Sequence, residues 1–122
     1  MIVLDASAAL AFLKGEPGAD AVEAALVNGP AVCGAANWSE IAQKLLAAGR
    51  NWADARAALL SYGVTVEPVT RDDAEWAAAH WAEHPSLSLG DRLCLALAHR
   101  TGADAWTTDR TWGDGPGIRQ IR

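Results

Sequence analysis

Short apolar runs alternate along this chain with longer stretches in which apolar residues recur at helical spacing. Ile2-Val3-Leu4 reads as a buried strand, followed by a helix from about Ser7 to Lys14. Gly15-Glu16-Pro17-Gly18 breaks the pattern, and a second helix then runs to about Val27, ended by Asn28-Gly29-Pro30. Ala31-Val32-Cys33 is a second strand, and a helix from about Ala36 to Ala48 closes on Gly49. Asn51 caps a further helix to Tyr62, with Gly63 as its stop. Val64-Thr65-Val66 alternates as a third strand. Thr70-Arg71-Asp72-Asp73 has the form of a capping box, with Asp in place of Glu, and opens a helix to about Glu83. Ser88 caps a helix from Leu89 to about Arg100, stopped by Gly102. Ala105-Trp106-Thr107 is a fourth strand, and Ile118 to Ile121 a last edge strand.

This alternation predicts an α/β fold, a parallel sheet of four to five strands flanked by helices on both faces. No repeat or linker divides the chain, and 122 residues suit one domain over 1–122. A 51 % hydrophobic content supplies a core, and a 20 % charged fraction argues against disorder. No apolar run approaches the roughly 18 residues of a membrane span. Met1-Ile2-Val3-Leu4 meets Asp5 at once, which leaves no room for a signal peptide. Cys33 and Cys94 lie in apolar stretches and read as small core residues of a reducing compartment. The expectation is a cytoplasmic domain with no membrane partner.

Net charge changes the picture. At −5 it has the wrong sign for coating nucleic acid by bulk electrostatics. An acidic pocket that holds metal ions is still compatible with a nucleic-acid substrate, because the metals reverse the local sign. Four acids qualify: Asp5, Glu40, Asp91 and Asp109, each at the beginning or end of a predicted element. At ~5 Å and an effective dielectric constant of ~20, each like-charged pair costs about 3 kcal/mol. A divalent cation is the natural compensator.

Each acid also has an ordinary structural explanation. Asp5 can be a helix N-cap, although Ser7 could supply that cap and leave the carboxylate free. Glu40 can pair with Lys44 one turn on, yet it shares a helix face with Asn37 and adjoins Ile41 at the core edge. Asp91 suits the positive end of its helix, but that helix is apolar almost all round, so its N-terminus opens into a cleft. Asp109 ends the fourth strand, with the Thr107 hydroxyl on the same face to support a carboxylate. Asp114, five residues later, is a candidate fifth ligand or an exposed loop acid. In a parallel α/β sheet, ligands bind at the carboxyl ends of strands, where Asp5 and Asp109 fall. Oxygen-only ligands select Mg²⁺ or Mn²⁺, and such ions activate water for phosphodiester hydrolysis.

Competing chemistry is poorly supplied. His80 and His84 have a metal-capable spacing without an acid-rich partner motif. Gly113-Asp114-Gly115-Pro116-Gly117 contains Pro and opens no helix, so it is no phosphate loop. A phosphoacceptor receiver domain needs paired acids after strand one and a lysine after the last strand. Here Asp5 stands alone, and the only lysines are Lys14 and Lys44.

Four segments together resemble a known family: Val3-Leu4-Asp5-Ala6-Ser7-Ala8, Asn37-Trp38-Ser39-Glu40, Gly90-Asp91-Arg92-Leu93-Cys94-Leu95 and Thr107-Thr108-Asp109-Arg110-Thr111-Trp112. In order, spacing and length the chain is similar to PIN-domain ribonucleases, most of all the VapC-type toxins of toxin–antitoxin pairs. The resemblance implies a five-stranded parallel sheet and a Mg²⁺/Mn²⁺-dependent endoribonuclease site. Asp5, Asp91 and Asp109 would be the nearer metal ligands, with Glu40 a direct ligand, a ligand through water, or the base that activates water. Ser7 and Thr107 would be supporting groups, and Arg92 and Arg110 phosphate contacts or surface ion pairs. It further implies a homodimer silenced by a cognate antitoxin, with RNA as substrate. A PIN-like scaffold that binds without cutting is the alternative.

Overall fold

Strand Ile2–Leu4 (β1) is short because Asp5 ends it, and its two faces are equally apolar: Val3 and Leu4 are both fully buried. That double burial marks a central strand of a parallel sheet. In the computed structural model, which describes residues 1–122, β1 lies in the middle of five parallel strands. The others are β2 (Ala31–Gly34), β3 (Val64–Glu67), β4 (Asp104–Thr107) and β5 (Ile118–Gln120), in the order β3-β2-β1-β4-β5. The expected upper count of strands is therefore reached.

Six helices complete the chain: α1 (Ala6–Lys14), α2 (Ala19–Asn28), α3 (Ala35–Ala47), α4 (Trp52–Ser61), α5 (Arg71–Ala79) and α6 (Leu89–Thr101). The connections from β1 to β2 and on to β3 step outward in one direction, so α1 to α4 share one face. There Leu4 and Cys33 pack against Leu10, Val22, Ile41 and Leu59. The path from β3 to β4 crosses back over two strands and carries α5 and α6 over the other face. Val3, Val32 and Ala105 pack there against Cys94, Leu97 and Trp112. The sheet thus has helices on both sides, and its order reverses between β1 and β4.

Local signals placed most boundaries within a residue or two. Both capping boxes form: Thr70 with Asp73 at α5, and Ser88 with Asp91 at α6. Asn51 caps α4 by accepting from the Asp54 amide at 3.1 Å. The helix expected to reach Glu83 instead ends at Ala79. The His80 ring contacts the Trp76 carbonyl at 2.8 Å and stacks on the Trp76 indole, with centroids 3.8 Å apart. Beyond it Trp81, Ala82 and Glu83 are all exposed and offer no apolar face to bury, and Pro85 disfavours helix at His84. Trp81 is consequently not helical. No helix is long and apolar enough to cross a membrane.

Candidate active site

Sheet order brings β1 and β4 side by side, and their carboxyl ends carry Asp5 and Asp109. The Asp5 amide donates to the Trp106 carbonyl at 3.1 Å, extending the ladder one residue past β1. That step places the Asp5 carboxylate beside Thr107. Its Oδ2 accepts from Thr107 Oγ1 at 2.5 Å, its Oδ1 accepts from the Ala8 amide at 2.7 Å, and Ser7 Oγ lies 2.7 and 2.9 Å from the two oxygens. Asp5 is therefore the N-cap of α1, and Ser7 does not replace it: the Ser7 hydroxyl donates to the cap rather than serving as one. Ser7 Oγ also accepts from the Thr108 amide at 2.9 Å. Two hydroxyls thus lock a carboxylate that is only 3 % exposed.

Burial pushes the Asp5 carboxyl up to about 6 from the usual 3.8. Hydrogen bonds from Thr107, Ala8 and Ser7 oppose the rise, and the charge of Asp91 adds to it. Asp5 and Asp91 thus sense each other. The same neighbourhood registers at the two buried thiols. Burial first, then the charges of Asp5 and Glu40, push Cys33 up to about 12. Burial holds Cys94 well above its ordinary range, with Asp5, Asp91 and Glu40 all contributing. Neither cysteine is a thiolate nucleophile. Both are core atoms beneath an acidic edge.

The acids differ in how they are held. Asp91 spends Oδ2 on the Ser88 amide at 3.1 Å, the return half of its capping box. Glu40 pairs with Lys44 at 3.5 Å through Oε2, an exposed contact worth only ~0.3–0.5 kcal/mol. Its Oε1 turns toward Gly90, where a Cβ would stand 3.2 Å away. Asp109 turns to its own chain: Oδ1 accepts from the Thr111 amide and hydroxyl at 2.9 and 2.7 Å, capping a short 3-10 turn at Arg110–Trp112. Its link to Asp5 runs through Thr107, whose Oγ1 accepts from the Asp109 amide at 3.0 Å.

The donor chemistry, all carboxylate oxygen around a buried and charge-crowded Asp5, fits a hard divalent cation. The ligand set is not closed as the side chains stand, since no three His, Cys, Asp or Glu groups converge tightly enough to hold a metal. A separate cavity lies elsewhere. It measures about 630 Å³ and is lined by His80, His84, His99, Trp76 and Trp112 near the C-terminal end of α6, away from Asp91. It contains none of the four acids. The strand-end edge is the better candidate, because perturbed charge and converging elements coincide there.

The arginines do not flank the acids as their neighbouring positions suggest. Arg92 points along α6 toward α5 and donates to the Ala77 carbonyl at 2.6 Å. Arg110 reaches the Arg122 carbonyl at 3.3 Å. Asp114 is an exposed loop acid beside Arg110 and Gln120. Two other residues emerge at the site. Asn37 donates to the Gly90 carbonyl at 3.2 Å, and Gln120 holds the Asp109 and Gly113 carbonyls at 2.9 and 2.8 Å. Asn37 had a sequence signal, its shared helix face with Glu40; Gln120 had none.

The family model of the PIN domain matches residues 2–115. No curated protein matches the sequence. Among solved structures, the chain is similar to one in a toxin–antitoxin complex from Klebsiella pneumoniae (TM-score 0.80, 21 % identity, covering 100 % of this chain and 98 % of that one). It is also similar to the sarcin–ricin-loop-cleaving toxin VapC20 of Mycobacterium tuberculosis (0.71, 22 %, 90 % and 91 %). A third similar chain comes from VapBC2 of Rickettsia felis bound to a promoter DNA fragment (0.74, 12 %, 100 % of both).

Proposed function

The chain belongs to the PIN domain family, and on that premise we propose that it is a Mg²⁺- or Mn²⁺-dependent endoribonuclease acting as the toxin of a toxin–antitoxin pair. What supports this reading is that the charges of Asp5, Asp91 and Glu40 all bear on the buried Cys94 thiol, and that Thr107 hydrogen-bonds both the Asp5 carboxylate and the Asp109 amide. The similar chains named for toxin–antitoxin complexes support the toxin assignment, and the toxin that cleaves the sarcin–ricin loop supports RNA as substrate class.

In this reading Asp5, Asp91 and Asp109 hold the cation, with Glu40 completing the set or accepting the proton of the attacking water. A cation held by these residues would supply activation of water and charge stabilisation at the leaving oxygen of the scissile phosphodiester. The chain's own contribution is positional. Ser7 and Thr107 fix the Asp5 carboxylate by donating to it, which favours its charged form and leaves it one orientation. Asp91 and Asp109 each keep one carboxylate oxygen outside their capping bonds. A cytoplasmic homodimer restrained by a cognate antitoxin completes the proposal.

The test is incubation of purified protein with total RNA and Mg²⁺ or Mn²⁺, beside Asp5→Asn and a chelator control. New 5′ ends should arise only with wild type and metal, and sequencing them names the substrate. Identical RNA profiles for wild type and Asp5→Asn at every metal concentration would leave a PIN-like scaffold that binds without cutting.

A further inference from the structure

Asn37 stands on α3 one turn ahead of Glu40 and is 1 % exposed. Its Nδ2 donates to the Gly90 carbonyl at 3.2 Å across 53 residues of sequence. Gly90 immediately precedes Asp91, and a Cβ built on it would lie 3.2 Å from Glu40 Oε1. One backbone unit is therefore gripped by Asn37, faced by the Glu40 carboxylate and followed by Asp91.

Stability alone does not account for these residue types. Asn37 Oδ1 is buried without a hydrogen-bond partner, and a half-satisfied buried amide is less favourable than an apolar side chain of similar size. Gly90, in the first turn of α6, has no positive φ that would require glycine. Both residues sit at the same crossing, the one that sets the Glu40 carboxylate against Gly90, next in sequence to Asp91.

We propose that Asn37 and Gly90 form a positioning clamp: the Asn37 amide fixes the α3–α6 crossing, and the bare Cα of Gly90 admits the Glu40 carboxylate beside Asp91. The inference rests on the reading of these acids as a metal-dependent nuclease site. In this role neither residue touches substrate. Asn37→Leu, the apolar side chain closest to Asn in shape, removes the grip without opening a cavity, whereas Gly90→Ala leaves it and crowds Glu40 Oε1.

Mn²⁺ binding to metal-free protein, followed by calorimetry beside thermal melts, tests the clamp. Both variants should melt at or above the wild-type temperature yet bind Mn²⁺ about tenfold or more weakly, as expected when support behind a ligand is lost. The Mn²⁺ concentration for half-maximal RNA cleavage should rise in step, with the rate recovering at saturating Mn²⁺. Wild-type Mn²⁺ affinity in either folded variant, with Asp5→Asn deficient, overturns that residue's part in the clamp while sparing the site. Weaker binding accompanied by a matching drop in melting temperature means a packing role and also overturns it. Should Asn37→Leu fail to fold, Gly90→Ala decides alone. If Asp5→Asn binds Mn²⁺ and cleaves like wild type, the site reading falls and the clamp with it.

Discussion

At Asp5 a helix cap and a buried, acid-crowded carboxylate are the same side chain, and the two roles pull its proton affinity in opposite directions. Burial prevails and lifts the carboxyl to about 6. Between 3.8 and that value the folded protein keeps a proton that the unfolded chain has lost, so this group's contribution to stability falls as pH rises through the window. An interval of about two pH units corresponds to about 3 kcal/mol. With metal chelated, Asp5→Asn should lack this slope, gaining up to about 3 kcal/mol relative to wild type between about pH 4 and pH 7. Denaturant titrations across that range check it, and parallel profiles would contradict it. Asp91→Asn and Asp109→Asn each remove a negative charge while keeping an amide oxygen for the capping bonds. Both should lose Mn²⁺ binding by calorimetry while keeping or gaining metal-free melting temperature. A destabilised metal-free variant would count against the charge argument.

At the scale of elements, α6 connects the candidate site to the rest of the fold. Its N-terminal turn carries Gly90 and Asp91, and its last turn carries Arg100, which binds Asp73 of α5 through Nε at 3.0 Å and Nη2 at 3.1 Å. Burial alone would raise the Asp73 carboxyl, but the hydrogen bonds from Arg100 and Thr70, with the Arg100 charge, hold it below its usual 3.8. The sign is opposite to that at Asp5: this contribution is present above 3.8 and is lost as pH falls through the lowered value. Arg100→Ala should therefore cost about 1–3 kcal/mol at neutral pH, because Asp73 stays buried without its partner. The deficit should shrink toward acid pH in the same denaturant assay. The two capping boxes at α5 and α6 were legible in the sequence because every bond in them spans three residues. The end of α5 was not, because the stack of His80 and His99 on Trp76 joins two helices.

For the whole molecule, an acidic chain meets a proposed polyanionic substrate. Net charge is −5, and no lysine or arginine forms an ion pair with Asp5, Asp91 or Asp109. RNA binding should accordingly be weak in chelator and strengthen on addition of Mn²⁺, measured by gel shift with the wild-type protein and a hydrolysis-resistant RNA analogue. Strong binding in chelator would place the RNA surface away from these acids. Mn²⁺ at about 100 times its Kd should also stabilise the folded protein by about 2.7 kcal/mol. That gain should be absent in Asp5→Asn.

The amino-acid sequence by itself determined the alternation of strands and helices, the caps that bound them, and the placing of four acids at element ends. These depend on periodicity and on contacts a few residues apart, which a linear reading can follow. Tertiary structure alone decided the order β3-β2-β1-β4-β5 and the face each helix covers. It also decided that Thr107 serves Asp5 across 102 residues, that Asn37 reaches Gly90 across 53, and that Arg92 turns to Ala77. Such pairings follow from how strands stack and helices cross, and no short-range pattern encodes which distant partner a side chain will meet.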